Sequence, residues 1–161
     1  SLQCVLRMSM LNIQMFEKHI AQIDKSIAKS MQGIQTPLHS IPGFGPVITA
    51  GLVAEIGSIE RFSDQAKLAK YAGLTWNETQ SGDFVGEETP LNRSGNAYLR
   101  YYLVQGGDQI RKRVPEYGQF YEKKYREATK HAHRRALVLT ARKLVRLVYT
   151  LMQTNQLYRP S

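Results

Sequence analysis

The stretch Ile41-Pro-Gly-Phe-Gly-Pro-Val-Ile-Thr-Ala50 places two glycines and two prolines immediately ahead of an apolar helical run. Gly43 and Gly45 let the chain reverse sharply, and Pro46 suits the first turn of a helix, where its missing N–H costs nothing. A helix opening there aims its free amides and positive dipole end outward, a suitable seat for an anion. The pattern reads as a helix-hairpin-helix over 38–57, whose chemistry is close approach to a nucleic-acid backbone without regard to base sequence. The plainer reading is a Gly-Pro turn between two packed helices.

The segments around this turn read as helices. Upstream, Leu2, Leu6, Ser9, Ile13, Phe16, Ile20, Ile23 and Ile27 recur at alternating spacings of four and three, the seam of a coiled coil rather than the wider face of a globular helix. This predicts a coiled-coil helix over 1–34 that pairs with a second copy of the chain, ending near Gly33. Because Ser1 already lies inside the pattern, the chain is expected to be a fragment whose helix continues upstream. Thr36-Pro37 then starts a short helix through Leu38 and Ile41. Downstream, Val47, Ala50, Val53, Ala54 and Ile56 run at helical spacing to Gly57. Ser63 or Asp64 caps a helix with Leu68, Ala69 and Tyr71 inward and Gly73 closing it.

From Leu74 to Asn96 the periodicity is lost and glycines and Pro90 punctuate the chain, a length at which an irregular segment in a compact domain is usually functional. Helical spacing returns with Tyr98, Leu99, Tyr102 and Leu103, and again through Tyr117 to Ala128. A last helix from about His131 to Leu157 puts Leu137, Ala141, Leu144, Val148 and Leu151 inward. The expected fold is mainly all-α, with the coiled coil followed by a helical domain over 35–161.

Charge bounds the partners. The 161 residues carry a formal net charge of +9, with 22 Lys and Arg against 13 Asp and Glu, and the sequence pI is near 9.8. Only 7 of the basic residues precede Ser81, against 6 acidic ones, so the excess lies in the C-terminal half. Such a field favours polyanions, DNA first, although a solvated basic face can produce the same count. Arg93, Arg100, Arg111, Lys112, Arg113, Arg134 and Arg135, with Gly43, Gly45 and Thr49 at the hairpin, are the candidate DNA contacts. Cys4 is the only cysteine, so an intrachain disulfide or an all-cysteine metal site is excluded and a cytoplasmic setting is expected. No apolar run is long enough for a membrane span.

The order Ile-Pro-Gly-Phe-Gly-Pro at 41–46, Ala54-Glu-Ile-Gly57, Arg61-Phe62, Leu68-Ala-Lys-Tyr-Ala-Gly-Leu74, Ser81-Gly82 and Gly95-Asn-Ala-Tyr-Leu-Arg100 resembles the C-terminal domain of the insertion-sequence transposases of the one-ten, one-sixteen and nine-oh-two group. Each motif alone is weak, but their order is specific. The resemblance implies a DNA recombinase with a serine nucleophile in this domain, a separate acidic domain that binds a divalent metal (magnesium is the expected ion), and a structured guide RNA. Nothing in this chain matches the acidic domain, so no metal site is expected here and the fragment is expected to be inactive alone. The family's Ser-Gly step falls on Ser81-Gly82.

A serine hydroxyl attacks a phosphodiester only when a base or metal removes its proton and cations hold the developing charge, and no histidine lies near Ser81 in sequence. The sequence departs from the family at Trp76, usually proline, and at Asp83, Glu87 and Glu88, in a segment usually rich in Lys and Arg. Ser94 is a rival serine, at a position usually basic. Three other readings compete. A non-catalytic DNA-binding and dimerising module would use the hairpin and basic helices alone. A tyrosine recombinase would draw on the nine tyrosines, with His131 or His133 and Arg134 and Arg135. A base-excision glycosylase would use Asp64, for which helix capping is the simpler role.

Overall fold

The computed structural model describes residues 1–76, 80–81, 84–85, 91–92 and 94–160; at 80, 81, 84 and 85 the description is of the backbone. The chain forms two compact units, Ser1–Gln35 and Thr36–Ser161.

The first unit is the single helix α1 (Leu2–Met31), which buries none of its residues. Leu2, Leu6, Ile13, Phe16, Ile20 and Ile23 are each more than half exposed. Along the four-three seam only Ile27 is half-buried.

In the second unit, Thr36 caps a short 3-10 turn, Pro37–Ser40, by accepting a hydrogen bond from the Leu38 amide. The expected first helix of the hairpin is thus one tight turn. The chain then passes through the 41–45 stretch into α2 (Pro46–Ile56). A second 3-10 turn, Ile59–Arg61, leads to α3 (Gln65–Tyr71). Asp64 caps α3, its carboxylate accepting from the amides of Ala66 and Lys67 at 2.8 and 2.9 Å. Gly73, with φ +67°, ends this segment in a conformation that favours glycine.

Within 74–96, read from sequence as irregular, the backbone makes two short antiparallel ladders. β1 (Thr75–Trp76) pairs with β4 (Leu91–Asn92), Thr75 opposite Asn92 and Trp76 opposite Leu91. Between them β2 (Gln80–Ser81) pairs with β3 (Phe84–Val85), Ser81 opposite Phe84. Gly82, Asp83, Glu87 and Glu88 lie outside the described residues. The backbone closes tightly at the foot of this excursion: a Cβ on Gly95 would lie 2.2 Å from the Gly73 nitrogen and 2.4 Å from the Tyr71 carbonyl oxygen.

Three helices follow, α4 (Ala97–Arg111), α5 (Pro115–Glu127) and α6 (Ala132–Thr154). α6 is the central element and packs on α3, α4 and α5, while α4 also meets α2. Leu144, Val145 and Val148 of α6 share the core with Leu52 and Ile56 of α2, Leu68 of α3, and Leu99, Leu103 and Ile110 of α4. Small residues permit these crossings. A Cβ on Gly107 would lie 3.2 Å from the Ala141 nitrogen, and a side chain on Gly51 would enter the Tyr102 ring. The inward set expected on α6 is buried except for Leu137, which is half-buried. Arg142 is also drawn in, hydrogen-bonded to Gln65 Oε1 at 2.7 Å, and burial lowers its pKa from the usual arginine value. Among the described residues no helix is long and apolar enough to cross a membrane.

Candidate nucleic-acid interface

The turn that opens α2 is built from local chemistry. The Phe44 amide donates to the Ile41 carbonyl at 3.0 Å, with Pro42 and Gly43 between them and Gly43 at φ +91°. That is the signature of a type II turn, which wants proline second and glycine third. Phe44 is buried against Gly106 of α4. Gly43 faces the same helix: a Cβ there would lie 3.0 Å from Gln109 Cβ and 2.9 Å from Arg113 Nη1. Turn geometry and packing thus both require this glycine.

Gly45 differs. Its φ of −82° suits any residue, and a Cβ would meet nothing within 4 Å. It precedes α2 with no side-chain cap, and Pro46 and Val47 beside it are exposed. The first amides of α2 are thus open to an approaching anion. Thr49, one turn further in, is only 3% exposed, and its hydroxyl is buried without a hydrogen-bond partner. A buried polar atom left unpaired costs free energy.

The basic residues fall into different settings. Arg113 is brought beside the turn, and its guanidinium is held by the Gln109 side chain at 2.8 Å. Arg111 and Lys112 both pair with Asp108, Arg111 at 2.6 Å. Burial works against the Asp108 carboxylate, but hydrogen bonds from Lys112 and Arg111 outweigh it and hold its carboxyl below the usual range. Arg111 also lies over the Tyr121 ring, 4.2 Å from its centre. Arg100 donates to the Ala72 carbonyl at 3.1 Å, tying α4 to the end of α3. Arg134 and Arg135 stand exposed on the first turn of α6. Arg93 lies outside the described residues.

Ser81 is described only by its backbone, paired with Phe84. Ser94, the rival, donates its hydroxyl to Asn92 Oδ1 at 2.6 Å. Tyr117 and Tyr121 are buried, whereas Tyr98, Tyr101 and Tyr125 are exposed. His133 Nδ1 is 2.7 Å from the Tyr121 hydroxyl, and His131 sits at the α6 N-terminus in a left-handed conformation. Asp64 is occupied as a cap.

Sequence reasoning missed a polar bridge at the foot of the 74–96 excursion. Asn96 accepts from the Tyr98 and Leu99 amides at 2.9 and 3.0 Å, capping α4. Its Nδ2 donates to Glu55 Oε2 at 2.8 Å and to the Tyr71 hydroxyl at 3.3 Å. One side chain thus links α2, α3 and α4. The motif residues Glu55, Tyr71 and Asn96 were each visible in sequence, but their meeting across 41 residues was not.

With this geometry in hand, comparison with known proteins is decisive for family. The chain belongs to the transposase family IS116/IS110/IS902, whose model matches residues 35–122, more than half of the chain. It is 29% identical over 124 residues to the uncharacterized 44.8 kDa protein of insertion element IS116 from Streptomyces clavuligerus, an alignment covering 77% of this chain and 30% of the relative. It is 28% identical over 122 residues to the uncharacterized 43.6 kDa protein of insertion element IS110 from Streptomyces coelicolor, covering 75% and 29%. The pilin gene-inverting protein of Moraxella bovis is 25% identical over 152 residues, covering 90% of this chain and 47% of the relative. The chain spans less than half the length of these relatives.

Proposed function

We propose that this chain is the DNA-binding and serine-nucleophile part of an RNA-guided insertion-sequence transposase. The observation that carries the proposal is the family match, which runs through Ser81. DNA is held through its backbone by the open amides at the start of α2, with Arg113 beside them and Arg134 and Arg135 adding sequence-blind attraction. The Ser81 hydroxyl loses its proton to a base, its oxygen forms a bond to a DNA phosphorus, and one P–O ester bond breaks. The leaving sugar oxygen takes up a proton, and the strand remains attached as a phosphoserine ester.

Among the described residues no group of three or more His, Cys, Asp or Glu side chains could hold a metal ion. No step assigned to this chain runs through one. In this reading a divalent ion is held by residues outside the chain, and a guide RNA directs the protein to its DNA. α1 joins two copies of the chain through its exposed seam.

The test is strand exchange by the full-length protein carrying Ser81→Ala, with Ser94→Ala as matched control. Loss confined to Ser81→Ala, with DNA binding retained, supports the assignment. Recombination that survives Ser81→Ala refutes it and leaves a non-catalytic binding and dimerising module.

A further inference from the structure

We infer that the cleft between α3 and the start of α4 holds an unpaired DNA strand, with a base stacked on Tyr98 and the backbone phosphates held by Lys67 and Lys70. The inference deepens the reading above and rests on it. Lys67, Lys70, Tyr71, Ser94, Asn96 and Tyr98 line this cleft. Lys67 and Lys70 are both exposed, sit three residues apart on one face of α3, and make no ion pair among the described residues. They differ in this from Arg111 and Lys112, which share Asp108.

Tyr98 is 70% exposed, the most exposed aromatic side chain among the described residues. An exposed ring in a cationic cleft suits a base that has left its helix, because stacking needs an open base face that a duplex keeps covered. Among the described residues, Glu55 accepts from Asn96, and the Asp64 carboxylate is held as the α3 cap by the amides of Ala66 and Lys67. The α4 amides of Tyr98 and Leu99 are satisfied by Asn96, so the attraction comes from the lysines and the ring.

The floor is rigid. Tyr71 is fixed by its hydroxyl contact with Asn96 and by Arg61, whose guanidinium lies 4.8 Å from its ring centre. The cleft adjoins Gly95 and Gly73, where the β1–β4 excursion bearing Ser81 leaves the domain. A strand held open beside that point is a strand presented for chemistry. DNA is favoured over RNA because it is the strand the proposed serine attacks.

The test measures fluorescence anisotropy of labelled single-stranded DNA, the same sequence as duplex, and the matching RNA strand. Tyr98→Ala is expected to weaken single-stranded DNA binding about fivefold or more, with duplex affinity held within twofold and Tyr98→Phe close to wild type. Lys67→Gln with Lys70→Gln should flatten the log–log salt dependence on single-stranded DNA by about 1.4, two phosphates at about 0.7 each. An unchanged Tyr98→Ala affinity, an equal loss on duplex, or a loss confined to RNA overturns the inference. If duplex binding persists while single-strand binding ignores these variants, the cleft assignment fails alone. If the wild type binds no nucleic acid, the DNA-binding reading fails with it.

Discussion

Asn96 joins three helices through one side chain, and Asn96→Ala removes every part of that junction. Two cap hydrogen bonds to the Tyr98 and Leu99 amides are lost, which costs about 1 kcal/mol for a typical cap. The half-buried Glu55 carboxylate loses its donor at 2.8 Å. A hydrogen bond to a charged group contributes about 1.5–3 kcal/mol, and partial solvent access brings this toward about 1 kcal/mol. The sum is about 2 kcal/mol, or roughly 6–12 °C in Tm for a unit of this size. Asn96→Asp separates the two parts: a carboxylate still caps α4, but it faces Glu55 as a like charge and cannot donate. Asn96→Ser keeps a cap and gives up the reach to Glu55. Urea unfolding should rank wild type above Asn96→Ser and Asn96→Ser above Asn96→Ala, and a cycle with Glu55→Ala should show coupling of about 1 kcal/mol. A loss below about 0.5 kcal/mol in Asn96→Ala, or a cycle with no coupling, would refute the bridge as a source of stability.

Other outcomes follow from the same geometry. Gly43→Ala should destabilise by about 1–2 kcal/mol because φ +91° is strained for alanine, whereas Gly45→Val should fold normally and lose DNA affinity, read by melting and filter binding. Thr49→Val removes a buried, unpaired hydroxyl; the protein should gain up to about 1 kcal/mol in urea unfolding. Ile20→Asp with Ile23→Asp should yield monomers in light scattering, since charge on the α1 seam cannot be paired in a dimer, and an unchanged mass would contradict pairing. The Asp108 carboxyl is held below its ordinary value, so its contribution is complete above about pH 4 and is lost as pH falls through the lowered folded-state pKa. Asp108→Asn should remove that part of the acid sensitivity.

What sequence made legible was local. The Pro46 start of α2, the Asp64 cap and the Gly73 stop each follow from one residue's own chemistry, and the fold keeps all three. The strands of the 74–96 segment are two residues long, too short for an alternating pattern to register, since periodicity needs four or more positions. Basic residues looked alike in sequence and differ in the fold. Arg100 serves the α3–α4 junction, Arg142 is drawn against Gln65, and Arg113 lies over Gly43. Those distinctions depend on which helices meet. A helical face reports that it is buried, not what buries it.

The most direct measurement of the central claim is mass spectrometry of the protein–DNA adduct formed during strand exchange by the full-length protein. Trypsin cleavage after Lys70 and Arg93 releases a peptide, Tyr71 to Arg93, whose only serine is Ser81, while Ser94 falls in the next peptide. After nuclease trimming, the account predicts a nucleotide mass on the Tyr71–Arg93 peptide, fragmenting to Ser81 and absent from Ser81→Ala. A nucleotide on the peptide beginning at Ser94, on a tyrosine, or on no residue of this chain while recombination proceeds would contradict it.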